Sequence, residues 1–584
     1  MGPRVSQRPS KAPAGAGLFL LLKPYSWLVA PLVILTILAN SLNLVVPKLM
    51  SHAIDTYTQG TFALNAVMVQ FLLAGLFIFI LTYFQSIVQT YASERVAKDL
   101  RTRLAAKISA QSYAYVEKIT PAKLLTNLTS DVDGVKLFVS QAVATIVSSV
   151  FLIIGASVLL LSINWRLGLG VLGIVPFIGI TFQMALRKVR KLFKKSQEAI
   201  DWLNRVINES ILGAALIRLL NTQHVEYQKF LAANTEAKDI GLSILRLFAG
   251  LIPAITCAMN LATVVILSLG GHFVIAGSMS LGDFTAFNSY LAILIYPIML
   301  IGFMSNVIAQ AGASYQRVSD VLAAPEEQKA GRLALELHGN VRVENVSLAF
   351  GEKLALNGVS FSSQAGTKTA IIGPTAAGKT QLLYLLIGLL KPTSGTLTYD
   401  EAAIDDYDKE ALHRQVGFVF QDSIIFNLTL RENIAFSSGV SDKDMEKAIA
   451  TAELRDFIAG LPQGLDTIVS ERGSSLSGGQ KQRVMLARAL SLNPKVLLLD
   501  DFTARVDATT ERAILENVHE NYPGITLISV TQKIASVTGY DQIILLMEGE
   551  VLATGTHEQL MATSPEYVQL YNSQRSTSLY EVHA

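Results

Sequence analysis

Gly373-Pro374-Thr375-Ala376-Ala377-Gly378-Lys379-Thr380 decides how this chain reads. It follows an apolar run at 369–372 that reads as a buried strand, and it opens a helical pattern over 381–390. A glycine-rich turn between strand and helix lets successive backbone N–H groups curl round phosphate oxygens, and the helix start adds its partial positive charge. In such a turn the lysine, Lys379, reaches the outer phosphates, and the hydroxyl of Thr380 holds a magnesium ion. The stretch predicts a nucleotide-phosphate cradle.

Working outward, residues from about 339 onward alternate short Val/Ile/Leu runs with helical stretches, the rhythm of a parallel sheet. One run, 496–500, ends in Asp500, an acid at a strand edge placed to share the metal with Thr380. Upstream of it, Leu476-Ser477-Gly478-Gly479-Gln480 precedes an amphipathic helix over 481–490. Ser477 and the amides around it make a second anion cradle. One nucleotide site needs one cradle, so the second calls for another explanation.

The first 310 or so residues have a different texture. Across all 584 residues, 51% are hydrophobic and 16% charged, with a mean hydropathy of +0.41; soluble domains carry about 25% charged residues. Six uncharged runs recur, at 27–46, 64–87, 139–163, 167–186, 247–267 and 284–308. Each reaches the roughly 20 helical residues that cross a bilayer's hydrocarbon. The expected fold is a multi-domain membrane protein: an all-α six-helix transmembrane domain, then an α/β P-loop nucleotide-binding domain. The expected bounds are a flexible basic tail at 1–17, the membrane domain at 18–322, a charged linker at 323–338 and the nucleotide domain at 339–584. No run reads as a cleavable signal. With 48 Lys+Arg against 46 Asp+Glu there is no basic field for nucleic acid, so none is expected as a partner. A single cysteine, Cys257, excludes a disulfide framework, a thiolate zinc site and a CxxC redox centre.

Basic residues set the orientation. Arg95, Lys98, Arg101, Arg103 and Lys107 fall in one intervening segment, and Arg187, Lys188, Arg190, Lys191, Lys194 and Lys195 open another, while the opposite loops are nearly bare. Both basic segments, both termini and the nucleotide domain are therefore expected on the cytoplasmic side of a cytoplasmic membrane. The runs hold no Asp, Glu, Lys or Arg, which disfavours an ion or proton pathway. Asn40, Asn43, Gln85, Gln183, Asn260, Asn288 and Asn306 could line a cavity or bond between helices. Pro253 and Pro297 mark expected kinks.

With these motifs together, the chain resembles the ATP-binding cassette (ABC) transporters, and within them the exporter half-transporters whose membrane domain precedes the nucleotide-binding domain. LSGGQ at 476–480 matches that superfamily's signature. Gln421 matches the Q-loop, which also touches the metal, Ser470-Glu471-Arg472-Gly473 matches an exporter-specific stretch, and Asp507 ends the D-loop. Phe350 falls where the family stacks an aromatic ring on adenine, and segments 120–133 and 208–218 resemble its two cytoplasmic coupling regions. The resemblance implies ATP and Mg²⁺ as cofactors. It also implies two chains with two ATPs between them, each held by one chain's P-loop and the other's signature, which accounts for the second cradle.

Two positions depart from the family pattern. Asp501 stands where the family carries Glu, and Thr531-Gln532-Lys533 stands where it carries a switch His. A general base must reach the attacking water. Aspartate, one methylene shorter, falls about 1.5 Å short, an error on the scale of about a hundredfold in rate. Gln532 can donate a hydrogen bond but carries no imidazolium charge. The expectation is a chain that binds Mg·ATP yet hydrolyses it poorly, paired with a different half-transporter that has the Glu and His. Together they would export hydrophobic or amphipathic molecules such as drugs or lipids. A homodimer using Asp501 as base, and a nucleotide-gated channel or regulatory membrane subunit, remain open alternatives.

Overall fold

The computed structural model describes residues 18, 21–326, 331–437, 439–470, 473 and 475–583. The expected tail at 1–17, and Glu471 and Arg472 of the exporter-specific stretch, lie outside the described residues. The chain divides into two compact units, Met1–Ala110 with Ile119–Pro325, and Gln111–Lys118 with Glu326–Ala584.

The first unit is helical. Its principal helices are α1 (Ser26–Thr58), α2 (Leu64–Ser109), α3 (Val143–Ile163), α4 (Trp165–Leu172), α5 (Ile174–Leu212), α6 (Gln223–Val265) and α7 (Leu281–Leu322). Among the described residues, five helical stretches are long and apolar enough to span a membrane. They contain the expected runs one, two, three, five and six. The fourth run is divided at Gly173: α4 ends at Leu172, and α5 is apolar only as far as residue 186, where Arg187 and Lys188 begin. At 1.5 Å per residue, the 46-residue α2 is about 69 Å long, more than twice the hydrocarbon thickness. Its composition changes where the membrane would end. No residue of its apolar window is buried within the chain, whereas Ala92, Val96, Ala97, Leu100 and Leu104 beyond it all are. The expected Pro253 and Pro297 lie inside α6 and α7, as do Pro31 and Pro47 inside α1.

The second unit is built on two sheets. Its strands are β1 (Val341–Phe350), β2 (Lys353–Ser363), β3 (Lys368–Ile372), β4 (Ser394–Tyr399), β5 (Ala402–Ala403), β6 (Val416–Val419), β7 (Val496–Asp500), β8 (Thr526–Val530), β9 (Gln542–Met547) and β10 (Glu550–Gly555). The larger sheet runs β10-β9-β3-β8-β7-β6, parallel except for the edge pair β9–β10. The smaller is an antiparallel β2-β1-β4-β5 sheet. All five residues of β7 and of β8 are buried. Because side chains alternate along a strand, Leu497 and Leu499 pack into one apolar layer with Val484, Met485 and Leu486, and Leu498 packs into the other with Leu382, Leu383 and Leu386. Burial on both faces is why these strands read as continuous apolar runs. The sheet therefore holds the C-terminal ends of β3 and β7 side by side with β8 between them, and the sites below grow from those ends.

Candidate functional site

β3 ends at Ile372 and the chain turns through Gly373, with φ of 155°, Ala376, with φ of 66°, and Gly378, with φ of 95°. A side chain at Gly373 would meet the Leu546 carbonyl oxygen at 2.0 Å, and one at Gly378 the Ala355 carbonyl oxygen at 2.7 Å. Both positions require glycine on grounds of φ and of space. The helix that follows, α8 (Lys379–Leu386), starts at Lys379 and ends four residues before the expected boundary; Gly388, at φ of 72°, lies just past it.

Lys379 is buried, and its ammonium donates to the carbonyls of Gly373 at 2.8 Å and Pro374 at 2.7 Å. Burial lowers its pKa, with Asp501 and Asp500 opposing the shift. Thr380 Oγ1 donates to Asp500 Oδ1 at 3.1 Å, so the expected metal pair is in contact. Asp500 is buried, and burial pushes its carboxyl up to about 6, with Thr380 and Lys379 opposing and Asp501 and Asp422 adding. Its second oxygen, Oδ2, is buried with no hydrogen-bond partner among the described residues. A buried carboxylate oxygen without a donor is costly, and a divalent cation beside the Thr380 hydroxyl would satisfy it. The residues present therefore fit Mg²⁺.

Asp501 follows at φ of 46°, a left-handed conformation that short Asp side chains tolerate. Its amide donates to the Val530 carbonyl at 2.9 Å, tying the end of β7 to β8. Gln421, two residues past β6, turns its side-chain amide toward Asp501 Oδ2 at 3.4 Å, while its carbonyl accepts from the buried Gln482 at 3.0 Å. Phe420, its neighbour, belongs to an aromatic cluster with Phe418 and Tyr384. Tyr113 packs edge-on against Tyr384 at 5.5 Å. The segment that clusters with this unit is thus Gln111–Lys118, upstream of the expected coupling stretch at 120–133, which lies in the first unit. Tyr113 is one of two tyrosines in this segment, with Tyr115, and no local pattern marks which of them packs on Tyr384.

Gln532 is exposed on the loop after β8. Sequence reading missed what holds that loop. Gln574, on the terminal helix α10 (Pro565–His583), donates from Nε2 to the Gln532 carbonyl at 2.6 Å and accepts from the Ile534 amide at 2.9 Å. One side-chain amide thus pins two backbone groups of the switch segment. Lys533 reaches back to the Thr503 carbonyl at 3.0 Å.

Ser477 caps the helix α9 (Gly478–Leu490), which starts three residues ahead of the expected position. Its hydroxyl accepts from the Gln480 amide, and Gln480 Oε1 accepts from the Ser477 amide, a reciprocal capping box. Arg505 lies over the two glycines. A side chain at Gly478 would meet its Cδ at 3.1 Å, and one at Gly479 its carbonyl oxygen at 2.9 Å. Phe350, at the end of β1, is 48% exposed and so presents a ring face for stacking.

Residues 29–298 match the ABC transporter transmembrane region family, and residues 356–504 match the ABC transporter family. The chain is 32% identical over 567 residues to the uncharacterized ABC transporter ATP-binding protein YfiB of Bacillus subtilis (strain 168), covering 95% of this chain and 97% of that one. It is 30% identical to the ATP-dependent lipid A-core flippase of Syntrophus aciditrophicus (strain SB), covering 84% and 83%. A solved structure of a bacterial Atm1-family ABC exporter with ATP bound superposes with a TM-score of 0.76 at 24% identity, covering 94% of this chain and 98% of that one. The chain belongs to the ABC transporter family. It is an exporter-type half-transporter, with its membrane-spanning helices and ATP-binding domain fused in one polypeptide.

Proposed function

We propose that this chain is one half of a heterodimeric, ATP-driven exporter of hydrophobic or amphipathic small molecules in the cytoplasmic membrane. Its nucleotide domain and both termini face the cytoplasm, as the basic segments around residues 95 and 187 favour. Relatives named as multidrug resistance transporters and lipid A flippases support the cargo class.

In this reading Lys379 and the amides of 373–380 hold the ATP phosphates, and Phe350 stacks on the base. Thr380, Asp500 and Gln421 hold Mg²⁺, which when bound neutralises phosphate charge. Asp501 and Gln532 occupy the base and switch positions of this chain's own, slow site. Ser477, Gly478, Gly479 and Gln480 complete the site of a partner that carries Glu and His at those positions. The observation that carries the reading is Asp501. Its carboxylate is a methylene shorter than the family's and lies within reach of the Gln421 amide, in a cradle whose binding residues are all present.

The experiment is transport in inside-out vesicles with a panel of fluorescent amphiphiles of either charge. Concentrative, ATP-dependent accumulation of at least one dye is expected only when both chains are present. Accumulation by this chain alone overturns the heterodimeric assignment, and flux that only follows the gradient overturns active export.

A further inference from the structure

Within the membrane-spanning unit a cavity of about 380 Å³ opens between α3, α5 and α7. The part of α5 that lines it follows a helical repeat, Gly179, Gln183, Arg187 and Arg190, so these four share one face. From Gly179 to Arg190 that face extends about 16 Å. Its Gly179 end carries no charge, and Ile153 of α3 with Ile298 and Ile301 of α7 also line the cavity. Its lower part is cationic. Arg190 donates from Nη2 to Ser305 of α7 at 2.8 Å, which fixes one guanidinium across the cavity. The Arg187 side chain makes no hydrogen bond or ion pair among the described residues, and no acidic residue lines the cavity. Both guanidiniums are exposed to solvent and stand beside an apolar wall, with no carboxylate among the lining residues to compete for an anion. Arginines that served only to anchor the helix at the membrane surface would extend toward headgroups, rather than share a cavity with Gly179 and hold a serine of another helix.

We propose that this cavity binds an anionic amphiphile, its phosphate or carboxylate head on Arg187 and Arg190 and its hydrocarbon tail along the isoleucines toward Gly179. The guanidinium fork matches such oxyanions in a bidentate manner. The proposal deepens the export reading by giving the cargo a charge, yet it is tested by binding, so either can fail without the other.

The test is equilibrium binding to the full chain in phosphatidylcholine nanodiscs. The probes are a pyrene-labelled dodecyl phosphate and a pyrene-labelled dodecyl trimethylammonium, with inorganic phosphate as competitor. The phosphate probe is expected to bind about tenfold tighter than the ammonium probe or better. Arg187→Gln with Arg190→Gln removes that preference, and Arg187→Lys with Arg190→Lys keeps most of it. A Cβ at Gly179 meets nothing within 4 Å, so Gly179→Phe starts from open space on the cavity wall and is expected to weaken both probes. Inorganic phosphate alone leaves the probe in place. A double glutamine variant that binds the phosphate probe as tightly as the unmodified chain overturns the proposal. So does a Gly179→Phe chain with unchanged affinity, or displacement by inorganic phosphate at equal concentration. Intact selective binding without ATP-driven transport would fault the export reading and leave the site standing.

Discussion

The two turns proposed as phosphate cradles use one device, glycines leading into a helix start, and differ in what surrounds it. Around 373–380 the binding groups are in contact with one another: Lys379 on the turn's carbonyls, Thr380 on Asp500, and Asp500 holding one unsatisfied oxygen. In the proposed reading the groups that act on the attacking water there are a short carboxylate at Asp501 and an uncharged amide at Gln532. Around 476–480 the capping box is complete and its glycines are fitted closely under Arg505. In that reading Lys379 and Thr380 follow β3, Gln532 follows β8, and Asp500 and Asp501 stand together at the end of β7, so binding and turnover meet at that one strand end.

The largest effect that would break this contrast belongs to Lys379. Lys379→Ala leaves the phosphates without their buried cation, and ATP affinity at this chain's own site is expected to fall about a hundredfold, read by nucleotide titration in the full chain. Gly479→Ala sharpens the contrast from the other side. Its new methyl would stand 2.9 Å from the Arg505 carbonyl oxygen. The ATPase rate of the assembled pair is expected to drop about tenfold or more, a barrier change of roughly 1.4 kcal/mol, while ATP affinity at Lys379 stays unchanged. A fall in that affinity would show that the two cradles are not separable.

A smaller effect is expected at Gln574. Gln574→Ala releases both backbone groups of the switch loop, for a loss of about threefold in turnover with little change in ATP affinity. Gln574→Glu, which still accepts from Ile534, recovers part of it. Equal losses in affinity and turnover would mark Gln574 as a support of the fold rather than of the switch loop.

What could be read in the sequence follows from range. Strand 496–500 and the turn at 373–380 were legible because their apolar runs and glycines answer to local demands, burial on both faces and backbone φ. The helix after Gly378 was overextended because its apolar pattern continues through Leu389 and Leu390 past a left-handed Gly388. The fourth apolar run gave no sign of its break at Gly173, since a single glycine inside a helical pattern is compatible with continuation. Asn40 and Asn43, weighed as cavity residues, donate to the carbonyls of Thr36 and Ala39 in their own helix. Of the amides considered, Gln183 lines the cavity, and the arginines beside it had counted only toward orientation. Gln574 lies 42 residues from the carbonyl it holds, and no local pattern announces so distant a contact.

The central claim is tested most directly by the ATPase rate of the purified chain without a partner, measured beside the same chain carrying Asp501→Asn. The account predicts a slow rate that changes less than about twofold on substitution, since a base that hardly works is hardly missed. A fast rate that Asp501→Asn abolishes would contradict it and make this chain a self-sufficient ATPase.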